Sequence, residues 1–337
     1  MLNPPESYGA DASGLICAYR FCHASHAQPV SGSDALSWLN QGDDAGFVWL
    51  HLNLSHVATE KWLREHLQLP VEFYEALHEG SRSTRIEHAD QHLIAIINDV
   101  VHDFSYEASD ISTLWVCASE RLIVTVRRTF LKSVDRLRQA VNQGAQLQST
   151  AELLSHLLHD QADVLTGIVR QLNRQVDDTE DALLAGRLNH KRARLGQKRR
   201  VLVRLQRLLA PEPAALFRLL QKPPRWMSDD ARQELRQATE EFAEVLRDMH
   251  SLQERIKLLQ EELATVVNEQ NNRSLFVLTI VTVLALPINL TAGLMGMNVG
   301  GVPFSQNEYG FWIVVLILAI ATGIAAWLAF RRRDPDA

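Results

Sequence analysis

Short runs of β-branched and aromatic residues recur at 15–21, 47–52, 93–101, 112–118 and 122–126. That composition suits a pleated, half-buried surface, so each run is predicted to be a strand. Between them, 34–41 and 59–77 place apolar residues at helical spacing. Residues 1–130 are therefore expected to form a mixed α/β domain. From residue 130 onward the pattern is helical, over 132–146, over 151–185, and over a basic segment 190–210 that follows Gly186. Pro211, Pro213, Pro223 and Pro224 are expected to break that last helix.

Ser228, Asp229 and Asp230 suit the start of a helix, and no proline or glycine follows until Pro287. One very long helix is predicted. Leu235, Ala238, Phe242, Val245, Met249, Leu252, Ile256, Leu259, Leu263 and Val266 advance in steps of three and four, a heptad seam that calls for partner helices. At 1.5 Å per residue, 229–272 would reach roughly 65 Å, longer than one small domain covers. Residues 131–274 thus read as a helical domain and stalk.

The stalk leads into 275–294, 20 residues without a charge, and 311–330 is a second such run. Each matches the roughly 20 residues that cross a hydrocarbon core. The near-neutral mean hydropathy of the whole chain hides these two segments. Arg273 precedes the first run and Arg331, Arg332 and Arg333 follow the second, whereas the loop 295–310 has no Lys or Arg. Two transmembrane helices are expected, with both termini and the tail 331–337 in the cytoplasm. Residues 1–14 lack the apolar run of a secretory signal, in keeping with a cytoplasmic N-terminus.

Within the first span and its approach, Asn272, Leu275, Thr279, Thr282, Leu286, Asn289 and Gly293 fall in a sector of about 100°. Four of the seven are polar, and amide or hydroxyl groups are disfavoured against lipid, so the stripe should meet protein or water. Such residues also join membrane helices to one another. Their alternation with small and aliphatic residues over five turns, continuous with the stalk seam, favours a pore lining.

Charge and composition remove other classes. A net charge of −6 gives no global basic excess for phosphate neutralisation, so nucleic acid is not an expected partner. Cys17, Cys22 and Cys117 are odd in number and form no C-x-x-C pair, against a disulfide framework or a cysteine zinc site. Gly-rich phosphate loops, nucleophile elbows and paired catalytic motifs are absent from the sequence, so no enzyme is expected. No cofactor is implied.

Nine of the 13 histidines precede Asp103. His156 and His159, with Asp160 and Asp163 nearby, could share a helix face and bind a metal, although surface groups at this spacing usually carry none. Lys191, Arg192, Arg194, Lys198, Arg199, Arg200, Arg204 and Arg207 form an acid-free basic run. Its expected role is pairing with acidic stretches such as 177–181 and 240–244.

The first span ends in Gly296, Met297 and Asn298. This tripeptide, placed between two C-terminal spans after a long helix and an α/β domain, resembles the signature of the CorA family of divalent-cation transporters over nearly the whole chain. Leu278, Thr279, Pro287, Ala292 and Gly293 also match residues common in that family's pore helix. The following Val299, Gly300, Gly301, Val302 and Pro303 are similar to the family's zinc-transporting ZntB branch, and the Glu-bearing loop of the magnesium branch is missing. The resemblance implies a CorA-like funnel and an α+β membrane protein, a homopentamer in the bacterial inner membrane that carries Zn2+ as cargo. It also implies an entrance formed by Gly296, Met297 and Asn298. A magnesium or cobalt channel of the same family and a membrane-anchored metal sensor are the rival readings.

A ring of Asn298 amide oxygens would suit a cation that keeps its water shell, since a neutral ring both attracts and releases a hard divalent ion. It gives no preference for zinc, whose tight ligands are His, Cys and carboxylate. The zinc branch is associated with proton coupling, yet neither span holds an ionisable residue to carry the proton. Glu308 is the one acid of the outer loop and could attract cations.

Overall fold

The computed structural model describes residues 10–22, 26–41, 46–79, 84–89, 91–105, 110–185, 191–297, 303 and 308–331. Seven strands, β1 (Leu15–Cys22), β2 (Gln28–Pro29), β3 (Gly46–Asn53), β4 (Arg85–Ala89), β5 (His92–Val100), β6 (Ile111–Ala118) and β7 (Leu122–Arg127), form one sheet in the order β2-β1-β3-β7-β6-β5-β4. Only the central β3–β7 pair is parallel. All five expected strands are present. The two that the pattern missed, β2 and β4, lie at the sheet's edges and are short or half-exposed, so they carry little apolar signal.

Side chains alternate across the sheet because successive strand residues face opposite sides. Phe47, Trp49, Leu93, Ala95, Ile97, Leu114 and Val116 enter one core, and Val48, Leu50, Leu52, Ile94, Ile96, Trp115 and Val124 enter the other. The second core is closed by α1 (Gly32–Gln41), α2 (Ala58–His66) and α3 (Val71–Glu79), through Trp38, Leu63, Phe73 and Leu77. The single helix expected over 59–77 is two helices. Pro70 lies between them, and the residue before a proline is driven out of the α region.

The first core is closed by α4 (Lys132–Asn142), α5 (Thr150–Leu184), α7 (Pro211–Gln221) and the start of α8 (Asp229–Met295), through Leu137, Leu157, Leu216 and Leu235 among others, while α6 (Lys191–Leu209) contacts α5, α7 and β5 without any of its described residues entering that core. Helix α4 ends at Asn142 rather than 146 because Gly144, at φ 96°, takes the left-handed conformation that terminates helices. Ser149 caps α5, its Oγ accepting from Glu152 N at 3.1 Å, while the Glu152 carboxylate accepts from Gln148 N at 2.6 Å. Pro211 opens α7 instead of merely ending α6, since the first helical position needs no N–H donor. Ser228 caps α8 through Ala231 N at 3.1 Å.

The long helix is present as expected and continues through Pro287. Its seam is answered differently: Leu235, Ala238, Phe242, Met249, Leu252 and Ile256 are buried within a single chain. Arg255 bridges to Asp177 at 2.7 Å and to Glu180 on α5, and Gln260 accepts from Arg199 of α6 at 3.3 Å. The partner helices that the seam calls for are thus the chain's own. The chain divides into two compact units, Met1–Gln260 and Glu261–Ala337.

A buried polar cluster sits between the sheet and α7. Glu212 is fully buried, with the side chain of Gln161 beside its carboxyl. Burial first, then nearby Asp99, pushes the Glu212 carboxyl well above the usual carboxylate range. Asp99 accepts from Val100 N at 2.7 Å and from Ser133, yet burial still raises it to about 6.

Candidate ion path on the first apolar helix

In the second unit, the apolar end of α8 and the helix α9 (Gly310–Arg331) leave most large side chains uncovered: Leu275, Leu278, Leu286, Leu290, Phe311, Leu316 and Trp327 are all exposed. Both helices are long and apolar enough to cross a bilayer, and their apolar windows are almost wholly unburied. Surfaces of this kind are stable against hydrocarbon or against further copies, not against water.

The two helices meet along one face. Phe276, Ile280, Leu284 and Thr291 are half-buried, and Ile288, Thr291 and Met295 line a cleft of about 350 Å³ opposite Phe311, Val314 and Leu318. With 3.6 residues per turn, that face lies nearly opposite the stripe of Asn272, Leu275, Thr279, Thr282, Leu286, Asn289 and Gly293. Every residue of the stripe is exposed. The polar line expected from sequence is therefore turned away from α9 and available to an aqueous axis or to another copy.

Its hydroxyls have a defined polarity. Thr279 Oγ1 donates to Leu275 O and Thr282 Oγ1 to Leu278 O, both at 2.8 Å. With each proton given to the helix, the hydroxyl oxygens offer only acceptor lone pairs outward, and water molecules held by a cation donate to such acceptors. Gly293 has no heavy atom within 4 Å of where a side chain would begin, so packing within one chain does not require glycine there.

The helix closes at Met295. Gly296 N donates to Ala292 O at 3.0 Å, and a Cβ on Gly296 would stand 3.3 Å from that same oxygen, a tight approach that favours glycine. Met297 is exposed. Asn298, the expected entrance residue, lies outside the described residues. Arg273, within α8, and Glu308, just before α9, are exposed.

The histidine pair does not converge. His156 Nδ1 faces Asp160 Oδ2 at 3.1 Å, while His159 Nδ1 faces Glu241 Oε2 at 2.8 Å. Asp160 and Asp163 are further engaged by Arg136 at 3.3 and 2.9 Å. Hydrogen bonding to Asp160 is the main reason the His156 imidazole is raised above its ordinary value. Among the described residues, no three His, Cys, Asp or Glu side chains group as a metal site would need.

An α/β unit followed by two uncovered apolar helices, each long and apolar enough to cross a bilayer, has the organisation of a membrane-spanning protein. The profile of the CorA-like Mg2+ transporter protein family matches residues 44–332. The chain belongs to that family, one of divalent-cation transporters. It is 23% identical over 313 residues to the zinc transport protein ZntB of Pectobacterium atrosepticum, covering 92% of this chain and 95% of that one. It is 27% identical over 289 residues to the divalent cation transporter CmaX of Pseudomonas aeruginosa, covering 85% and 86%. Among solved structures, full-length CmaX superposes with a TM-score of 0.78 at 24% identity, covering 96% of this chain and 99% of that one. The CorA-like fold expected from sequence is thus the fold observed.

Proposed function

We propose that this transporter carries zinc through a homopentameric pore lined by Asn272, Thr279, Thr282, Leu286, Asn289 and Gly293, with Gly296, Met297 and Asn298 at its outer entrance. One observation carries the reading: the stripe is exposed, presents acceptor oxygens, and lies on the side of α8 away from α9. A two-helix unit cannot enclose a water-filled path alone, so several copies must surround it. In this reading 275–294 is the pore helix, 295–310 the outer loop, 311–330 the second membrane helix and 331–337 a cytoplasmic tail. The sheet-bearing segment 1–130 and the helical segment 131–274 face the cytoplasm. The basic residues on either side of the spans and their absence from the loop support that orientation in a bacterial inner membrane.

Zinc rests on the sequence likeness to zinc transport proteins and on the loop that follows Asn298. Magnesium or another divalent cation is the second reading, favoured by the family's description. Both follow from recognition of a hydrated ion, because neither span supplies the His, Cys or carboxylate that would bind bare zinc. Proteoliposomes loaded with a metal-sensitive dye separate the readings, with zinc and magnesium compared in the presence and absence of a pH gradient. Zinc flux exceeding magnesium flux supports the first reading, and a flux that follows the proton gradient assigns coupling. Magnesium flux alone assigns the second, and no flux of either ion leaves a membrane-anchored sensor.

A further inference from the structure

Helix α6 presents Arg199, Arg200, Arg204 and Arg207 around a groove of about 550 Å³ that is completed by Gly196, Val203 and Gln260. No acid lines it. Among the described residues none of the four arginines forms an ion pair, and Arg199 donates to the neutral Gln260 Oε1. Three acids of the stretches expected to neutralise this helix are engaged elsewhere. Asp177 and Glu180 hold Arg255, and Glu241 faces His159 and accepts from Gln237 at 3.1 Å.

Arginines three and four residues apart on one helix face repel one another, here at positions 200, 204 and 207. In a chain of net charge −6, such a concentration of cation is a local reversal that attracts an external anion. The chemistry of the groove narrows which anion. Guanidinium groups present a planar fork that pairs two-to-two with phosphate oxygens. Eight residues of helix separate the outermost arginines, roughly 12 Å at 1.5 Å per residue, which is a span for several phosphates rather than one.

We propose that the α6 groove is a binding site for phosphate-bearing anions, separate from the ion path. Arg200, Arg204 and Arg207 supply the forks, and Gln260 supplies a neutral hydrogen-bonding wall. The phosphates come either from a soluble polyphosphate or from the headgroups of an anionic lipid, and one experiment distinguishes the sources.

The full chain is placed in nanodiscs of phosphatidylcholine and titrated calorimetrically with sodium tripolyphosphate at low salt, with sulfate at matched ionic strength as control. In a parallel arm, hydrogen exchange across α6 is compared between phosphatidylcholine and phosphatidylglycerol nanodiscs. Saturable binding of tripolyphosphate, tighter than sulfate, assigns a soluble ligand. Protection of α6 by phosphatidylglycerol without tripolyphosphate binding assigns lipid headgroups. In either case Arg200→Gln with Arg204→Gln is expected to weaken the effect about tenfold or more, the loss of at least one charge-assisted hydrogen bond. Arg204→Lys, which keeps the charge and loses the fork, is expected to fall between. All four arginines border open solvent in the groove, and an unchanged melting temperature verifies that the variants fold. Absence of both signals, or equal binding by the wild type and the double variant, overturns the proposal.

Discussion

Phe242 and Leu286 lie on the same continuous helix, yet the first is 0% exposed and the second 67%. Up to Gln260 the apolar face of α8 is answered by side chains of the same chain, with ion pairs at the margins. In the other unit most large apolar residues are exposed, and Asn272, Thr279, Thr282 and Asn289 gather in a single line on the face away from α9. The contrast teaches what surrounds each half. In water an uncovered Leu is costly, so the first half is packed. In hydrocarbon it costs nothing, and the polar stripe becomes the group that needs cover. A helix can therefore change its hydrophobic logic without any break in its backbone.

The largest expected effect tests the packed half. Phe242→Ala should cost about 3–5 kcal/mol, the usual penalty for emptying a full aromatic site, whereas Leu286→Ala should leave the unfolding of the sheet-bearing unit unchanged. Urea unfolding followed by tryptophan fluorescence measures both. Equal losses at the two sites would erase the contrast.

Next comes the entrance. Asn298→Ala is expected to reduce zinc flux in vesicles at least about tenfold while leaving the oligomer intact by light scattering, since it removes an acceptor at the mouth and no core packing. Normal flux in this variant would make the tripeptide structural. Asn298→Asp should hold the ion more tightly and release it more slowly, because a ring of carboxylates deepens the binding well.

The buried carboxyls give the packed half a pH signature. An acid whose folded pKa is raised contributes fully below its unfolded value of about 4.3 and loses that contribution as pH rises toward the folded value. Glu212 and Asp99 are both raised, Asp99 to about 6 and Glu212 well above the carboxylate range. Stability should therefore fall from about pH 4 upward, by about 1.4 kcal/mol per pH unit for Glu212 while it keeps its proton in the folded state. Glu212→Gln should flatten that slope and gain on the wild type between pH 5 and 8. Parallel pH profiles of melting temperature in the two proteins would exclude a buried Glu212 proton.

The smallest effect concerns orientation within the uncovered half. Cysteines at Thr279, Thr282 and Asn289 should react with hydrophilic thiol reagents several-fold faster than cysteines at Ile280 and Leu284, which face α9. The background is favourable once Cys22 is replaced by Ser, because burial pushes both Cys17 and Cys117 up to about 12. Protection at all three stripe positions would remove them from the pore.

Sequence alone determined the five main strands, the long helix, the two spans and the polar stripe, because each is a periodic pattern whose partner is the surrounding medium or the pleat of a sheet. The tripeptide after the first span brought the family, and the family match over residues 44–332 agrees. Tertiary structure decided what depends on distant chain segments. It covers the α8 seam with α5 and α6 of the same chain, where periodicity indicates only that some helix must pack there. His156 and His159, three residues apart, are directed to separate carboxylates on two different helices. Asp177 and Glu180, near α6 in sequence, go to Arg255, and Arg199, Arg200, Arg204 and Arg207 of α6 remain around an open groove. Charge counts along a chain are local, whereas ion pairing depends on which side chains the folded backbone brings within about 4 Å.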